Sequence, residues 1–492
     1  MTDARAGPAM VDGRADDLLA EQREPPAARA GARPTGREAA AAGLVLLAAL
    51  AIGLLRQGAA FTSGQWAVGL FLAAALLLAT VGSPPSAADL RRPPMPALLG
   101  LAAWALLDAA LHGSPGRGVA PALLVAGIVG VFAVCRRLPD AGREILLMGI
   151  IATALVVAAT GWLGLAFRIA PWRWEAQGVW RASSTLTYPN ATAAVLVMVA
   201  LLVLALLTER ERSLPLALAA TGLLVVAGAT LSRAGLMALL AGGVVLVALA
   251  GPRAVARASI GPALGAAVAL GGLVPSMGTP GGASPVWAAT GLLAGLIIGG
   301  GLAYVGPKAA TALVSGACLC GLLAVVTFGP DRLPDAADHI ARVRLTLESP
   351  ERFEATRVAL DSFADRPLTG GGPGLVEWRW THANGASTTV RYVHNEYVQL
   401  TAELGLVGAA LLSAALLMLA WALWKLRDAG PSRPLWAGVV AGICALAVHS
   451  AFDFVWHIPA IPLVAAALAG LVLPPPDSEP DPSDQASNQP TT

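Results

Sequence analysis

The chain has 492 residues, of which 56% are hydrophobic and only 13% are charged. A soluble domain carries roughly a quarter of its residues as charged side chains, so this composition excludes an ordinary soluble protein. The formal net charge of +2 gives no support to nucleic-acid binding, which depends on clustered positive charge. Long stretches carry no charge, and each is close to the ~20 residues that a helix needs to cross ~30 Å of hydrocarbon. We therefore predict an all-α polytopic membrane protein.

Polar segments divide the chain into five parts. Residues 1–38 are rich in Ala, Arg, Pro, Gly and Asp and lack the apolar core of a cleavable signal peptide, which predicts a disordered cytoplasmic tail. Residues 474–492 are polar, Pro-rich and acidic and predict a second disordered cytoplasmic tail. Between them, 39–329 is predicted to hold transmembrane helices 1–11, and 397–473 to hold helices 12–14. The segment 330–396 is predicted to be one large, partly helical extracytoplasmic loop.

The apolar stretches predict about fourteen membrane spans, and roughly twelve to fourteen are compatible with the pattern. Their approximate ranges are 39–55, 66–82, 95–111, 119–134, 145–166, 189–207, 214–231, 234–250, 259–275, 285–306, 308–329, 397–424, 433–452 and 459–473.

The basic residues give the orientation of these spans. If the N-terminus is cytoplasmic, the short inside loops hold many more Arg and Lys residues than the short outside connections, as the positive-inside rule requires. Those residues are Arg91, Arg92, Arg136, Arg137, Arg143, Arg210, Arg212, Arg253, Arg257, Lys308, Lys425, Arg427 and Arg433. The distribution predicts that both termini are cytoplasmic and that the polar segments 167–188 and 330–396 lie outside.

The residues suited to metal binding form no recognisable ligand set. The four cysteines lie in or beside apolar segments, and no histidine is near Cys318 and Cys320 in the sequence. Free cysteine behaves as a small hydrophobic residue, so we interpret all four as packing residues. We predict no metal site and no cofactor.

The large loop is rich in arginine and ends in a glycine run. From residue 336 to 364 the pattern predicts one or two amphipathic helices, broken near Pro350. The run 370–374 has the sequence Gly-Gly-Gly-Pro-Gly, but the Lys-Ser/Thr of a nucleotide loop does not follow it. We therefore predict a tight structural turn in place of a phosphate cradle.

A polar stripe begins where the loop meets the next apolar helix. His394 and Asn395 precede Glu396, Gln399 and Glu403, which are spaced to share one helical face. Such a stripe should face a protein cavity and not lipid, and imidazole is the side chain best suited to accept a proton near neutral pH. From the residues alone, His394 is either a structural hydrogen-bonding residue or a general base.

Arginines on the outer face suit a substrate that carries phosphates on a lipid, because guanidinium forks match phosphate oxygens. A donor of this kind brings its own activation energy, which agrees with the lack of a nucleotide motif. A base would take a proton from an acceptor hydroxyl while arginines stabilise the leaving pyrophosphate.

Four segments carry short motifs in a fixed order. They are 181–190, which ends in Pro-Asn, the Ser-Arg-Ala-Gly turn within 231–235, the loop motif 352–374 and the stretch 394–408 that begins with His-Asn-Glu-Tyr. These segments resemble the O-antigen ligase and polymerase family of bacterial membrane glycosyltransferases. A weaker likeness lies at 449–454, and the similar segments occur in the family's order. The chain departs from the family in having more spans than its usual core of about a dozen.

The resemblance implies a helical membrane fold of the C-type glycosyltransferase kind in the bacterial cytoplasmic membrane. It also implies metal-independent transfer of a glycan from an undecaprenyl-pyrophosphate-linked donor to a glycan or lipid acceptor. His394 would be the base or the residue that orients the acceptor, and Arg233 and Arg181 would contact the pyrophosphate, with Arg352 as a further candidate. We also place Asn395, Glu396 and Glu403 among the predicted substrate-binding residues.

The motifs leave the activity within the family open. Ligation of a polysaccharide to an acceptor and polymerisation of repeat units are equally compatible with them, and protein glycosylation ranks behind. A transporter or flippase of lipid-linked glycan is the alternative from another class, although its internal repeats and mid-membrane charges are not evident in this chain. A non-catalytic scaffold would have no need for a polar stripe below a histidine.

The orientation can be tested with a cysteine at Asn384, introduced in a background without the four native cysteines. An impermeant thiol reagent should label Asn384→Cys in intact cells, because residue 384 is predicted to lie outside. The control variant Ser487→Cys, in the C-terminal tail, should react only after lysis. The reverse pattern would overturn the predicted topology.

Overall fold

The computed structural model describes residues 36–81, 86–210, 212–278, 282–302, 342, 350–382, 384–428 and 432–474. The helices of these residues are α1 (Gly36–Leu55), α2 (Thr62–Thr80), α3 (Ala87–Arg91), α4 (Met95–Leu111), α5 (Val119–Arg137), α6 (Asp140–Ala166), α7 (Pro189–Glu209), α8 (Leu214–Ala229), α9 (Arg233–Ala250), α10 (Pro252–Met277), α11 (Pro285–Gly301), α12 (Pro350–Asp365), α13 (Glu396–Lys425), α14 (Arg433–Ser450) and α15 (Ala460–Val472). Two hairpins pair β1 (Arg173–Ala176) with β2 (Val179–Ala182) and β3 (Trp378–Thr381) with β4 (Ser387–Val390).

Helices that could cross a membrane dominate the described part of the chain. Eight of them are long and apolar enough to do so by length and composition, and α1, α4, α8, α11 and α15 contribute shorter apolar helices. The prediction of a mostly helical polytopic membrane protein is thereby confirmed. Each predicted span overlaps one of these helices except 308–329, which lies outside the described residues, as do most of both predicted tails and 330–349 apart from Arg342. The total of fourteen spans stays a prediction.

Helix α7 lies at the centre of the bundle. Almost every side chain from Pro189 to Leu207 is buried, and α8, α9 and α14 pack around the helix. Lipid tails are as apolar as the helix surfaces, so close approach at small residues stabilises such packing. Gly442 of α14 lies against Met198, and Gly438 lies against Leu202. The rigid centre therefore fixes the position of the start of α7.

One end of the bundle gathers the start of α7, the start of α13 and the segment after α14. The hydroxyl of Tyr188, just before α7, reaches Asp453 after α14, and the backbone of Trp456 donates to Glu396 at the start of α13. This end carries both polar segments that are predicted to lie outside. Its side relative to the membrane stays a prediction.

Two short hairpins lie in these polar segments, where only irregular loop and helix were expected. The residues of β3 alternate between buried and exposed, those of β4 alternate between exposed and half-buried, and Trp378 pairs with Val390. Trp378 is 1% exposed and packs with Ala359, Val393 and Ala402, so it ties α12 and the hairpin to α13. The period-2 alternation of Trp and Val with polar residues was the available sequence signal.

The glycine run docks into a break in α13. Gly405 interrupts that helix with φ 65° and ψ −167°, a region of backbone space that is almost restricted to glycine. The amide groups of Gly371 and Gly372 donate to the carbonyl groups of Ala402 and Glu403, both at 2.9 Å. The prediction that the run is a structural turn is confirmed, and the turn has a specific partner.

The variant Gly405→Ala should lower the melting temperature of the purified protein. Alanine in the backbone conformation of residue 405 costs about 1–3 kcal/mol more than glycine does. Its Cβ would also clash with the carbonyl oxygen of Leu368. Gly243→Ala in α9 is the control, because a Cβ there meets nothing within 4 Å. Equal thermal stability of the two variants would contradict the docking of the glycine run at Gly405.

Candidate functional site

The site is organised around the carboxylate of Asp453, which has no exposed surface. The hydroxyl of Tyr188 donates to both carboxylate oxygens, at 2.8 and 3.0 Å, and the side-chain amide of Asn190 donates to Oδ2. The backbone N–H of Phe454 donates to Oδ1 at 2.8 Å. A guanidinium nitrogen of Arg352 lies 3.8 Å from Oδ2. A buried charge is tolerated when it is paired and hydrogen-bonded in this way.

Arg352 lies beside this carboxylate, and Arg233 lies near Arg352. Arg352, in the first turn of α12, donates from Nη1 to the carbonyl of Phe452 at 2.9 Å, and 34% of its side chain is exposed. Arg233, the first residue of α9, is close enough to Arg352 for the two guanidinium charges to repel each other. Guanidinium groups suit a phosphate-bearing ligand, because their N–H groups match phosphate oxygens.

The Ser-Arg-Ala-Gly motif has a local structural explanation. Ser232 is the N-cap of α9, and its side chain accepts a hydrogen bond from the backbone of Gly235 at 3.1 Å. Serine is a preferred N-cap because it satisfies an amide that the first helical turn leaves unpaired. A Cβ at Gly235 would press on Ala193 of α7. The motif thus holds the start of α9, and with it Arg233, against the central helix.

Arg181 lies behind Asn190 and is buried, with 8% of its surface exposed. Its Nε donates to the carbonyl of Thr230 at 2.7 Å, and its Nη2 donates to the side-chain oxygen of Asn190 at 2.8 Å. These contacts orient the Asn190 amide towards Asp453. They favour a supporting role for Arg181, and its predicted contact with pyrophosphate stays a prediction.

His394 lies at the edge of this cluster. Its φ of 60° is left-handed, and its ring packs edge-on against Phe454 with the centroids 4.9 Å apart. Burial lowers the pKa of His394 and Arg352 lowers it further, while the charge of Asp453 acts in the opposite direction. The backbone of Tyr392 also acts to raise the pKa of His394. A neutral imidazole has one nitrogen lone pair that can accept a proton.

Asn395 and Glu396 begin α13. The side-chain oxygen of Asn395 caps the helix by accepting from the backbone of Tyr397 and Val398, both at 3.1 Å. Glu396 is 2% exposed, and its Oε2 lies 3.1 Å from Nδ1 of His457. Both side chains are engaged within the protein, so the predicted substrate contacts of these residues stay predictions.

The polar stripe on α13 faces other protein groups, as predicted. Gln399 is 3% exposed, and its Nε2 donates to Glu403 at 3.0 Å and lies 3.2 Å from Nε2 of His457. Burial lowers the pKa of His457, but the hydrogen bond and charge of Glu396 outweigh burial, so the net pKa is raised. His394 and His457 thus have pKa values shifted in opposite directions.

A family comparison covers the middle of this arrangement. The family model described as O-antigen ligase matches residues 218–413. The resemblance to the O-antigen ligase family is thereby confirmed. The match contains Arg233, Arg352 and His394, whereas Arg181 and Asp453 lie outside it. A search of curated proteins found no match to the chain.

The O-antigen ligase match and the apolar helices together support a bacterial inner-membrane enzyme of polysaccharide biosynthesis that acts on lipid-linked glycan. In the described part of the chain, no group of three or more His, Cys, Asp or Glu side chains could hold a metal ion. Metal independence of the reaction stays a prediction.

Sequence reasoning did not assign Asp453 or Tyr188 to the site, although Asp453 lies in the segment 449–454 that weakly resembles the family. The available signal was an acidic residue directly after an apolar helix, since ionisable groups in that position are usually functional. No sequence pattern indicated that Tyr188 stacks on Phe454, with the ring centroids 5.0 Å apart, or that Tyr392 stacks on Phe454 at 4.6 Å.

The contribution of the hydrogen bond from Tyr188 to Asp453 can be tested by comparing two tyrosine variants. Tyr188→Phe removes a hydrogen bond to a carboxylate and should cost about 1.5–3 kcal/mol of unfolding free energy. Tyr397→Phe is the control, because its hydroxyl donates to the neutral carbonyl of Ala447 at 2.9 Å and its loss should cost about 0.5–1.5 kcal/mol. Denaturant titration in detergent gives both values. A loss in Tyr188→Phe no larger than that in Tyr397→Phe would contradict the role of this hydrogen bond in holding Asp453.

Proposed function

We propose that this protein transfers a glycan from an undecaprenyl-pyrophosphate-linked donor to an acceptor hydroxyl at the outer face of the membrane. The proposed reaction needs no metal and is that of an O-antigen ligase or a surface-polysaccharide polymerase. The observation that carries the proposal is the position of His394 near the buried Asp453 and near Arg352, with Arg233 close to Arg352.

In the proposed step, His394 accepts the proton of the acceptor hydroxyl as its oxygen attacks the anomeric carbon of the donor sugar. The new glycosidic C–O bond forms while the bond from the anomeric carbon to the pyrophosphate oxygen breaks. The electron pair of the broken bond leaves on the lipid pyrophosphate, and the proton then passes from His394 to solvent. General-base assistance of this kind contributes roughly 10²–10⁴-fold to a rate.

The surrounding charges support each part of this step. The guanidinium groups of Arg352 and Arg233 would stabilise the negative charge that grows on the leaving pyrophosphate, because fixed cations cost little reorganisation during reaction. The charge of Asp453 favours the protonated form of His394, so it stabilises the imidazolium that the step creates. Tyr188 and Asn190 hold Asp453, and Arg181 holds Asn190.

The test uses purified protein in liposomes with a lipid-pyrophosphate-linked oligosaccharide from the same host, and products are identified by mass spectrometry. His394→Ala should reduce transfer by at least a hundredfold, because the base is lost. Arg233→Lys should also impair turnover, since an ammonium keeps the charge but loses the bidentate fork. His382→Ala is the control, because His382 is exposed on the hairpin.

The products separate the remaining alternatives. A ladder of lengthened lipid-linked chains would identify a polymerase, and donor consumption only in the presence of a separate acceptor would identify a ligase or protein glycosyltransferase. Normal turnover in His394→Ala would refute the base assignment. Movement of intact donor across the bilayer without any transfer would favour the flippase alternative.

A further inference from the structure

Gln399 links His457 to the backbone next to His394. It lies one turn into α13 and is 3% exposed. Its side-chain oxygen accepts a hydrogen bond from the backbone N–H of Val393 at 3.0 Å. Its Nε2 donates to Oε1 of Glu403 at 3.0 Å and lies 3.2 Å from Nε2 of His457. A single amide thus joins three separate groups around the proposed base.

Hydrogen-bond complementarity fixes the orientation of this amide. The backbone N–H of Val393 can only donate, so Oε1 of Gln399 has to face it. Nε2 of Gln399 consequently faces His457, whose Nε2 has to accept with its lone pair. The proton of neutral His457 then lies on Nδ1 and points to Glu396, 3.1 Å away. The hydrogen bond from Gln399 to His457 can form only while His457 is neutral.

The backbone that Gln399 holds is an unusual one. His394 has φ 60°, a conformation that only a few per cent of non-glycine residues adopt. Val393 on one side is bound by Gln399, and Asn395 on the other side caps α13. Loss of the Gln399 contact would remove one of the two restraints that surround His394.

We propose that Gln399 is a positioning residue for His394, and that protonation of His457 detaches Gln399 and lowers the rate of transfer. The proposal rests on the proposed role of His394 in glycan transfer. A proton on Nε2 of His457 would face the amide hydrogens of Gln399, so the two donors would repel each other. The side-chain amide of Gln399 cannot flip without losing its hydrogen bond to the backbone of Val393.

The charged groups around His457 set the pH range of this effect. Glu396 and Glu403 of α13 face it with negative charge, and Arg391 opposes them from the segment before α13. The ring of Tyr392 lies against His457 with the centroids 4.3 Å apart. Because the pKa of His457 is raised and that of His394 is lowered, His457 should protonate first as the pH falls.

The experiment measures kcat and KM for glycan transfer as functions of pH in the reconstituted protein. In the wild type, kcat should fall on the acidic side at a pH above the ordinary pKa of histidine. Gln399→Leu should lower kcat by roughly tenfold to a hundredfold with little change in KM, because a small misplacement of a reacting group has that effect. The acidic fall of kcat should occur at lower pH in this variant than in the wild type, because only protonation of His394 then lowers kcat.

His457→Gln provides a second test that does not depend on Gln399. Glutamine can still present an acceptor oxygen to Gln399 but cannot take up a proton. This variant should keep most of the activity at alkaline pH and stay active at lower pH than the wild type. The controls are Gln65→Leu and His382→Gln, which change exposed residues of the same types and should leave both kcat and its pH dependence unaltered.

The outcomes separate this inference from the proposed function. The positioning role would be overturned if kcat of His457→Gln fell at the same acidic pH as in the wild type. It would also be overturned if kcat of Gln399→Leu were unchanged. If Gln399→Leu does not fold, His457→Gln decides.

If the wild type transfers no glycan, the proposed function fails. Solid-state NMR of ¹⁵N-histidine then decides the inference, because titration of His457 should shift the His394 signals in the wild type but not in Gln399→Leu.

Discussion

The buried carboxylate of Asp453 constrains the rest of this end of the molecule. A carboxylate with no exposed surface is stable only when hydrogen bonds and a cation replace its lost water. Tyr188 and Asn190 come from the start of α7, Arg352 comes from α12, and Asp453 itself follows α14. Satisfying one charge therefore fixes three distant parts of the chain relative to each other, and the proposed base lies beside them.

The break in α13 supplies a second constraint of a different kind. An uninterrupted helix would have no free carbonyl groups to receive the glycine run, whereas the break at Gly405 exposes those of Ala402 and Glu403. The loop from α12 is anchored there by backbone hydrogen bonds, which tolerate little displacement. Arg352 at one end of α12 is thus held by Asp453, and the other end is held through the glycine run.

The surroundings of His394 and His457 explain why their pKa values differ. His394 is buried near the guanidinium of Arg352, and its pKa is lowered, whereas His457 faces Glu396 and its pKa is raised. Opposed shifts in neighbouring groups are typical of sites that divide chemical roles between them. Here one imidazole is suited to accept a proton, and the other is suited to respond to pH. Gln399 connects them through a fixed amide orientation.

The sequence by itself determined the membrane class, the helix positions and much of the candidate site. Charge-free stretches of membrane-spanning length predict helices from local composition, and the positions of Arg233, Arg352 and His394 follow from short motifs within the family match. The predicted glycine turn also follows from local chemistry, because glycine adopts backbone conformations that other residues avoid.

Only the tertiary structure decided which polar groups meet. Tyr188 and Asp453 are 265 residues apart in the chain, and Gln399 and His457 are 58 apart, so no local pattern links them. The capping role of Asn395, the support that Arg181 gives to Asn190 and the break at Gly405 depend on partners that packing brings close. Composition and periodicity show which segments favour lipid and which favour water. The pairing of buried charges depends instead on the three-dimensional arrangement of the helix ends.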